Sequence, residues 1–163
     1  MNLLTGVVYL VIAGYLAIAA PLVAGFHPVV VLSGSMEPTY HVGSVIYYKS
    51  AAFDKIQVGD PITFHGEDTS TLVTHRVVEK HETEQAFETE GDANGSRDPG
   101  MVPYSHVVGR AGRISIPYAG YFVNAGKQPA SIIVMAVILA AGILLDKISE
   151  DDRKKQSEQT GRT

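Results

Sequence analysis

The chain has 163 residues, which is enough for one domain of ordinary size. Apolar residues make up 45% and charged residues 18%, against about a quarter charged in soluble proteins, and this argues against whole-chain disorder. The net charge of −4 makes nucleic acid an unfavourable partner, and the lack of cysteine excludes disulfide scaffolds, thiolate zinc sites and a cysteine nucleophile.

An apolar segment occupies the start of the chain. Residues Leu3–Phe26 carry no charge, and no Asp, Glu, Lys or Arg precedes Glu37. A helix of this length, at about 1.5 Å per residue, crosses the roughly 30 Å hydrocarbon core of a bilayer. The sequence therefore predicts an N-terminal transmembrane helix within residues 1–26. The alternative is a cleaved signal peptide, although the basic region that begins such peptides is missing.

The central block, residues 27–126, is predicted to be an all-β extracytoplasmic domain. Its short β-branched and aromatic runs are separated by Gly and Pro turns, which indicates antiparallel strands in a barrel or sandwich, and no helical periodicity is convincing. The candidate strands are 29–32, 44–48, 61–64, 72–78, 86–89, 107–110 and 112–116. Residues Gly91–Gly100 are predicted to form a loop, with a turn at Asp98-Pro99-Gly100. The expected fold class is thus mainly β, with a helix on either side.

A second apolar segment, Gln128–Leu145, predicts a second transmembrane helix at about residues 127–146. Its length is at the short end of the membrane-spanning range, so a buried core helix is the alternative. The charged tail, residues 147–163, includes the basic residues Lys147, Arg153, Lys154, Lys155 and Arg162. Basic residues beside a span favour the cytoplasmic side, and two spans then place the central block outside.

The segment Ser33–Thr39, which reads Ser-Gly-Ser-Met-Glu-Pro-Thr, is the most informative for chemistry. Gly34 allows a sharp turn after a strand, and Pro38 fixes the exit from it. A serine in such a turn can expose its hydroxyl, and the neighbouring amides can stabilise an oxyanion. On composition alone, an ordinary Ser/Gly surface turn is the better interpretation.

This string resembles the nucleophile box of type I signal peptidases, the membrane enzymes that remove signal peptides. Three further boxes of that family have counterparts in the family's order: Gly59–Phe64, Thr74–Val77, and Gly91–Asn94 with Asp98. The segments Val107–Arg110 and Ile116–Tyr121 are similar to the family's last strands. The resemblance covers residues 28–123 and implies a signal-peptidase-like catalytic domain.

The general-base box identifies the branch of the family. His75 stands where the common bacterial branch has lysine. This resembles the endoplasmic-reticulum-type branch with Ser, His and Asp, which also occurs in archaea and some Gram-positive bacteria. Ala93 and Pro61 depart from the family's usual residues, but neither change removes a reacting group.

The resemblance implies the following roles. Ser35 is the nucleophile, His75 the general base, and Asp98 the carboxylate that orients it. Asp92 either organises the loop or replaces Asp98 in this role. The oxyanion hole is formed by the Ser35 amide and the Ser33 hydroxyl.

The sequence therefore predicts a membrane-bound serine endopeptidase that removes N-terminal signal peptides from exported preproteins. We expect a multi-pass protein of the cell membrane with an extracytoplasmic active site, and neither cofactor nor metal. The expected partners are preproteins and the lipid bilayer, with the protein-export translocon as a further candidate. The alternative is a non-catalytic membrane-anchored binding or assembly protein on the same β-fold.

Overall fold

A computed structural model describes residues 3–66 and 70–160. The chain divides into two units. One contains the residues up to Ile18 together with those from Val123 onwards, and the other is Ala19–Phe122. Of the predicted segments, residues 1–2, 67–69 and 161–163 lie outside the described residues.

The first unit is helical and contains most of both apolar segments. Helix α1 spans Leu3–Ala19, and α3, which follows α2 (Ala119–Lys127) in the chain, spans Pro129–Thr160. Two stretches, Thr5–Ala24 and Pro129–Ser149, are long and apolar enough to cross a membrane, and almost their whole length is exposed. This exposure argues against a buried core helix at the second segment, since such a helix would be covered by protein.

The second unit contains a curled antiparallel sheet of seven strands, which confirms the predicted fold class. The strands are β1 Phe26–Val30, β2 Val45–Lys49, β3 Pro61–His65, β4 Leu72–His81, β5 Ala86–Glu90, β6 Val102–Pro103 and β7 Val107–Ile116. Their order across the sheet is β1-β2-β7-β3-β4-β5-β6. Short 3-10 helices occupy Ala20–Ala24, Phe53–Lys55 and Tyr104–His106.

Some boundaries differ from the predictions. Strand β1 already begins at Phe26 and includes Pro28, because an edge strand tolerates a residue without an amide hydrogen. Strand β7 is continuous where two strands were expected, and its pairing with β2 is irregular at that point. The two-residue strand β6 was not predicted.

Helix α2, Ala119–Lys127, corrects the prediction that the central block contains no helix. Helix α3 also continues past residue 146 to Thr160, through much of the tail.

The apolar core of the second unit has two clusters. One contains Phe53, Ile56, Ile62, Phe64, Val77 and Phe87. The other contains Met36, Tyr40, Ile46 and Ala111. Met36 and Tyr40 follow Ser35 in the turn after β1, so their burial in the second cluster fixes the backbone next to this serine.

Candidate active site

Ser35 lies in a tight turn that follows β1. The Glu37 amide donates to the Gly34 carbonyl at 3.0 Å, and the Tyr40 amide to the Met36 carbonyl at 2.9 Å. The Ser35 carbonyl accepts a hydrogen bond of 2.8 Å from the Ala93 amide. The turn is thereby bound to the loop formed by residues 91–101, hereafter the acidic loop.

His75 connects the turn to the acidic loop. It lies within β4 and is only 9% exposed. Its Nε2 is 3.0 Å from Ser35 Oγ, and its Nδ1 is 2.5 Å from Asp98 Oδ2. A proton on Nδ1, donated to the carboxylate, leaves Nε2 free to accept the serine proton. The ring of Phe64 covers the imidazole edge-on, with 6.4 Å between the ring centroids.

Asp98 is held by β5. The Thr89 hydroxyl donates to Asp98 Oδ2 at 2.7 Å, and the Asp98 amide donates to the Thr89 carbonyl at 2.8 Å. Thr89 is completely buried. A buried hydroxyl with a fixed partner gives the carboxylate one orientation.

Asp92 contacts Arg76 and Thr39, and the carboxylate bonded to His75 is that of Asp98. Arg76 Nε is 2.7 Å from Asp92 Oδ1 and its Nη2 is 2.5 Å from Oδ2, a bidentate pair. The Thr39 hydroxyl donates to Oδ2 at 2.5 Å. The hydrogen bonds from Arg76, opposed by burial and assisted by the bond from Thr39, hold the pKa of Asp92 below its ordinary value. Asp92 therefore joins the acidic loop to β4 and to the Ser35 turn.

Ser33 lies beside the nucleophile candidate. Its Oγ is 3.4 Å from Ser35 Oγ, and the side chain is exposed. A hydroxyl in this place can donate to an oxygen that develops charge next to Ser35.

The sequence did not predict that three further residues support the site, namely Thr39, Arg76 and Thr89. Arg76 adjoins His75 in a strand, so its side chain points to the other face, where a charge needs a partner. This alternation of side chains along the strand was the one feature of the sequence that could have indicated a supporting role for Arg76. Thr39 and Thr89 contact the site through pairings that no local pattern reveals.

A groove of about 450 Å³ adjoins Ser35 and His75. One wall is formed by Val29–Ser33 and Ser35 and the other by Thr71–His75, while Met36, Tyr40 and Ile46 also contribute to its lining. Most of this lining is apolar. Met36 and Tyr40 are almost completely buried, so they expose little surface to the groove.

One group of side chains in the described residues has the composition of a metal site. Ligand atoms of Glu79, His81 and Glu88 lie within 4.8 Å of one another. Arg97 already binds both carboxylates, at 2.8 Å to Glu79 and 2.5 Å to Glu88. The guanidinium thus supplies the positive charge that an ion would bring, and we assign the group to ion pairing.

A serine, an imidazole and a carboxylate in hydrogen-bonded sequence, beside an apolar groove, define the class of serine hydrolases. Residues 4–84 match the family described as signal peptidase, peptidase S26. The catalytic subunit SEC11C of the rat signal peptidase complex is 33% identical over 132 residues, covering 74% of this chain and 68% of that protein. The human SEC11C subunit matches with the same identity and coverage.

Signal peptidase I W of Bacillus subtilis is 42% identical over 90 residues, which are 53% of this chain and 47% of that protein. The chain belongs to the signal peptidase family, and its activity is that of a serine endopeptidase that removes signal peptides. The resemblance to the endoplasmic-reticulum-type branch is confirmed by the SEC11C matches.

Proposed function

We propose that Ser35, His75 and Asp98 are the catalytic triad of this signal peptidase. The observation that carries the proposal is the position of His75, whose two ring nitrogens contact Ser35 Oγ and Asp98 Oδ2. A serine hydroxyl becomes a competent nucleophile when a base removes its proton during attack. The contacts of the buried imidazole support His75 as this base.

The reaction follows from these contacts. Ser35 Oγ attacks the scissile carbonyl carbon while its proton moves to His75 Nε2. Asp98 stabilises the resulting imidazolium and keeps the ring in place. His75 then protonates the leaving amine, the acyl-enzyme forms, and water activated by the same imidazole releases the signal peptide. The Ser35 amide and the Ser33 hydroxyl stabilise the oxyanion in both halves.

Free strand edges support binding of an extended substrate. Strand β1 pairs with β2 only, and β4 pairs with β5 from Arg76 onwards, so Leu72–His75 have no strand on that side among the described residues. Both edges line the groove beside Ser35. A signal-peptide segment that adds to them as a strand presents its scissile bond to the serine and its small side chains to the groove.

The sequence supports one orientation in the membrane. Phe26, at the end of the first apolar segment, and Ser35 are nine positions apart, which limits their separation to about 30 Å at roughly 3.3 Å per residue. A site so near the span suits a preprotein cut at the outer surface of the membrane. We propose that the catalytic domain is extracytoplasmic and that the tail is cytoplasmic. The substrates are exported preproteins, and the protein works in the bilayer beside the export translocon.

The test is cleavage of a membrane-inserted preprotein by the purified full chain in liposomes. The wild type should cut after a small residue, whereas Ser35→Ala and His75→Ala should each lose on the order of 10⁴-fold or more in rate. Near-wild-type cleavage by either variant would remove that residue from the triad. SEC11C is named as part of a complex, so failure of all proteins including wild type calls for the assay in membranes of the native host.

The pH dependence gives a second readout. Protonated imidazole cannot accept a proton, so the rate should fall as the pH decreases from about 8 to 5. A constant rate over this range would contradict an imidazole base.

A further inference from the structure

Arg97 immediately precedes Asp98, and its side chain binds two strands at once. Its Nη1 lies 2.8 Å from Glu79 Oε2 on β4 and 2.5 Å from Glu88 Oε2 on β5. Glu79 and Glu88 are direct partners in the β4–β5 ladder. Two carboxylates opposite each other repel, and a cation between them reverses that repulsion.

His81 is a further titratable group beside the two glutamates that bind Arg97. Its Nε2 is 3.1 Å from Glu88 Oε1 and 3.9 Å from Glu79 Oε1. The two glutamates therefore use one oxygen each for Arg97 and have the other near the imidazole. The hydrogen bonds that Arg97 donates to Glu79 and Glu88 raise the pKa of Arg97, and the bond from Arg97 lowers the pKa of Glu88.

The hydrogen bond of the Asp98 amide attaches the loop to β5 at the position next to Glu88. Arg97 binds Glu88, and the next residue of the loop, Asp98, binds the next residue of the strand, Thr89. At the other end of the acidic loop, Asp92 is held by Arg76. The residues between these attachments, 93–96, are exposed, and the Ala93 amide binds the Ser35 carbonyl. Along the chain from Ala93 to Asp98, the ion pairs of Arg97 are the next side-chain attachment to the sheet.

We propose that Arg97 is a positioning residue for catalysis, which fastens the end of the acidic loop to the β4–β5 ladder and so keeps the Asp98 carboxylate on His75. The inference rests on the proposed role of Asp98. Arg97 is 51% exposed, and exposed ion pairs contribute little to global stability. Its loss should therefore affect the geometry of the triad more than the folding of the domain.

The experiment compares Arg97→Gln, Arg97→Lys and the control Arg113→Gln in the liposome cleavage assay. Arg113 is an exposed arginine on β7, outside the triad and the acidic loop. Arg97→Gln should lower kcat about tenfold or more with KM within a factor of two, because misplacement by about 1 Å can cost up to 100-fold. Arg97→Lys, which keeps one charged contact, should recover part of the loss, and Arg113→Gln should match wild type.

The pH–rate profile separates positioning from general stability. Without a carboxylate close to the imidazole, imidazolium is less stable, so the acid limb of Arg97→Gln should move to lower pH. High salt should move the wild-type profile in the same direction, because it screens the exposed pairs. The thermal midpoint of Arg97→Gln should stay within a few degrees of wild type.

Three results would overturn the inference. One is Arg97→Gln kinetics equal to those of Arg113→Gln. Another is a rate loss with an unmoved acid limb. The third is a large drop in thermal midpoint that Arg97→Lys does not relieve. Asp98→Ala is measured in parallel. If it retains activity, the proposed triad itself fails, whereas an inactive Asp98→Ala beside a fully active Arg97→Gln refutes only the role of Arg97.

Discussion

Gly91 lies directly against the backbone of Ser35. A β-carbon at position 91 would be 2.6 Å from the Ser35 carbonyl oxygen and 2.7 Å from the Asn94 side-chain nitrogen. Carbon and carbonyl oxygen do not approach so closely, and the obstructing atom belongs to the backbone, which cannot rotate away. The first residue of the acidic loop thus determines how near the loop comes to the nucleophile.

We predict that Gly91→Ala reduces kcat at least tenfold. The methyl group must displace either the Ser35 turn or the acidic loop, and both carry members of the triad. Gly95→Ala is the matched control, since no atom lies within 4 Å of a β-carbon there. Preprotein cleavage by the two variants, with circular dichroism to verify folding, makes the comparison. Equal activity of both would show that Ser35 tolerates the displacement.

Thr89 offers a second test of how Asp98 is oriented. Thr89→Val keeps the shape of the side chain but removes the hydroxyl that donates to Asp98 Oδ2. Because that bond is partly buried and its acceptor is charged, the cost is about 1–3 kcal/mol. We expect cleavage to slow by ten- to a hundredfold.

Thr89→Ser restores the donor and should recover most of the rate of Thr89→Val. If Thr89→Val cleaves as fast as wild type, the hydroxyl is not what orients Asp98. If serine is as slow as valine, the methyl group of Thr89 is needed as well as the hydroxyl.

The sequence predicted Ser35 and His75 as site residues because each lies in a short contiguous box. It left Asp92 and Asp98 as alternatives, since both lie in a loop whose path no periodicity describes. In the structure, Arg76 distinguishes the roles of the two aspartates. It projects from the opposite side of β4 from His75 and takes the carboxylate of Asp92, so that Asp98 is the acid beside the imidazole.

The fold class could be predicted more readily than the bounds of the individual helices and strands. Alternating β-branched runs identified most strands within a few residues. Helix α2 was missed because its Gly120, Asn124 and Gly126 are weak helix formers. Tyr118, just before the helix, has a φ of 61°, a left-handed conformation that favours glycine and that sequence gives no reason to expect there.

The pair of Asp92 and Arg76 should make stability depend on pH. The native pKa of Asp92 lies below its ordinary value near 4. The pair therefore stabilises the fold fully above the unfolded pKa, and this contribution is lost as the pH falls through the lower native pKa. Asp92→Asn should lower the thermal midpoint at pH 6, and its difference from wild type should shrink below about pH 4.

Asp54→Asn is the control for that measurement, because Asp54 is 69% exposed and its ion pair with Lys55 lies in solvent. Its thermal midpoint should follow wild type over the whole range in detergent solution. A constant gap between Asp92→Asn and wild type from pH 3 to 6 would mean that the carboxylate is not coupled to folding.

The absence of cysteine makes the membrane orientation directly measurable. A cysteine at Ser70, which is exposed beside β4, should react with a membrane-impermeant maleimide added to intact cells. A cysteine at Ser157, in the charged tail, should react only after permeabilisation, because the basic residues that follow the second span favour the cytoplasm. The reverse pattern would place Ser35 on the cytoplasmic side. Exported preproteins could not then be cut there, so a catalytically competent triad would need a different substrate.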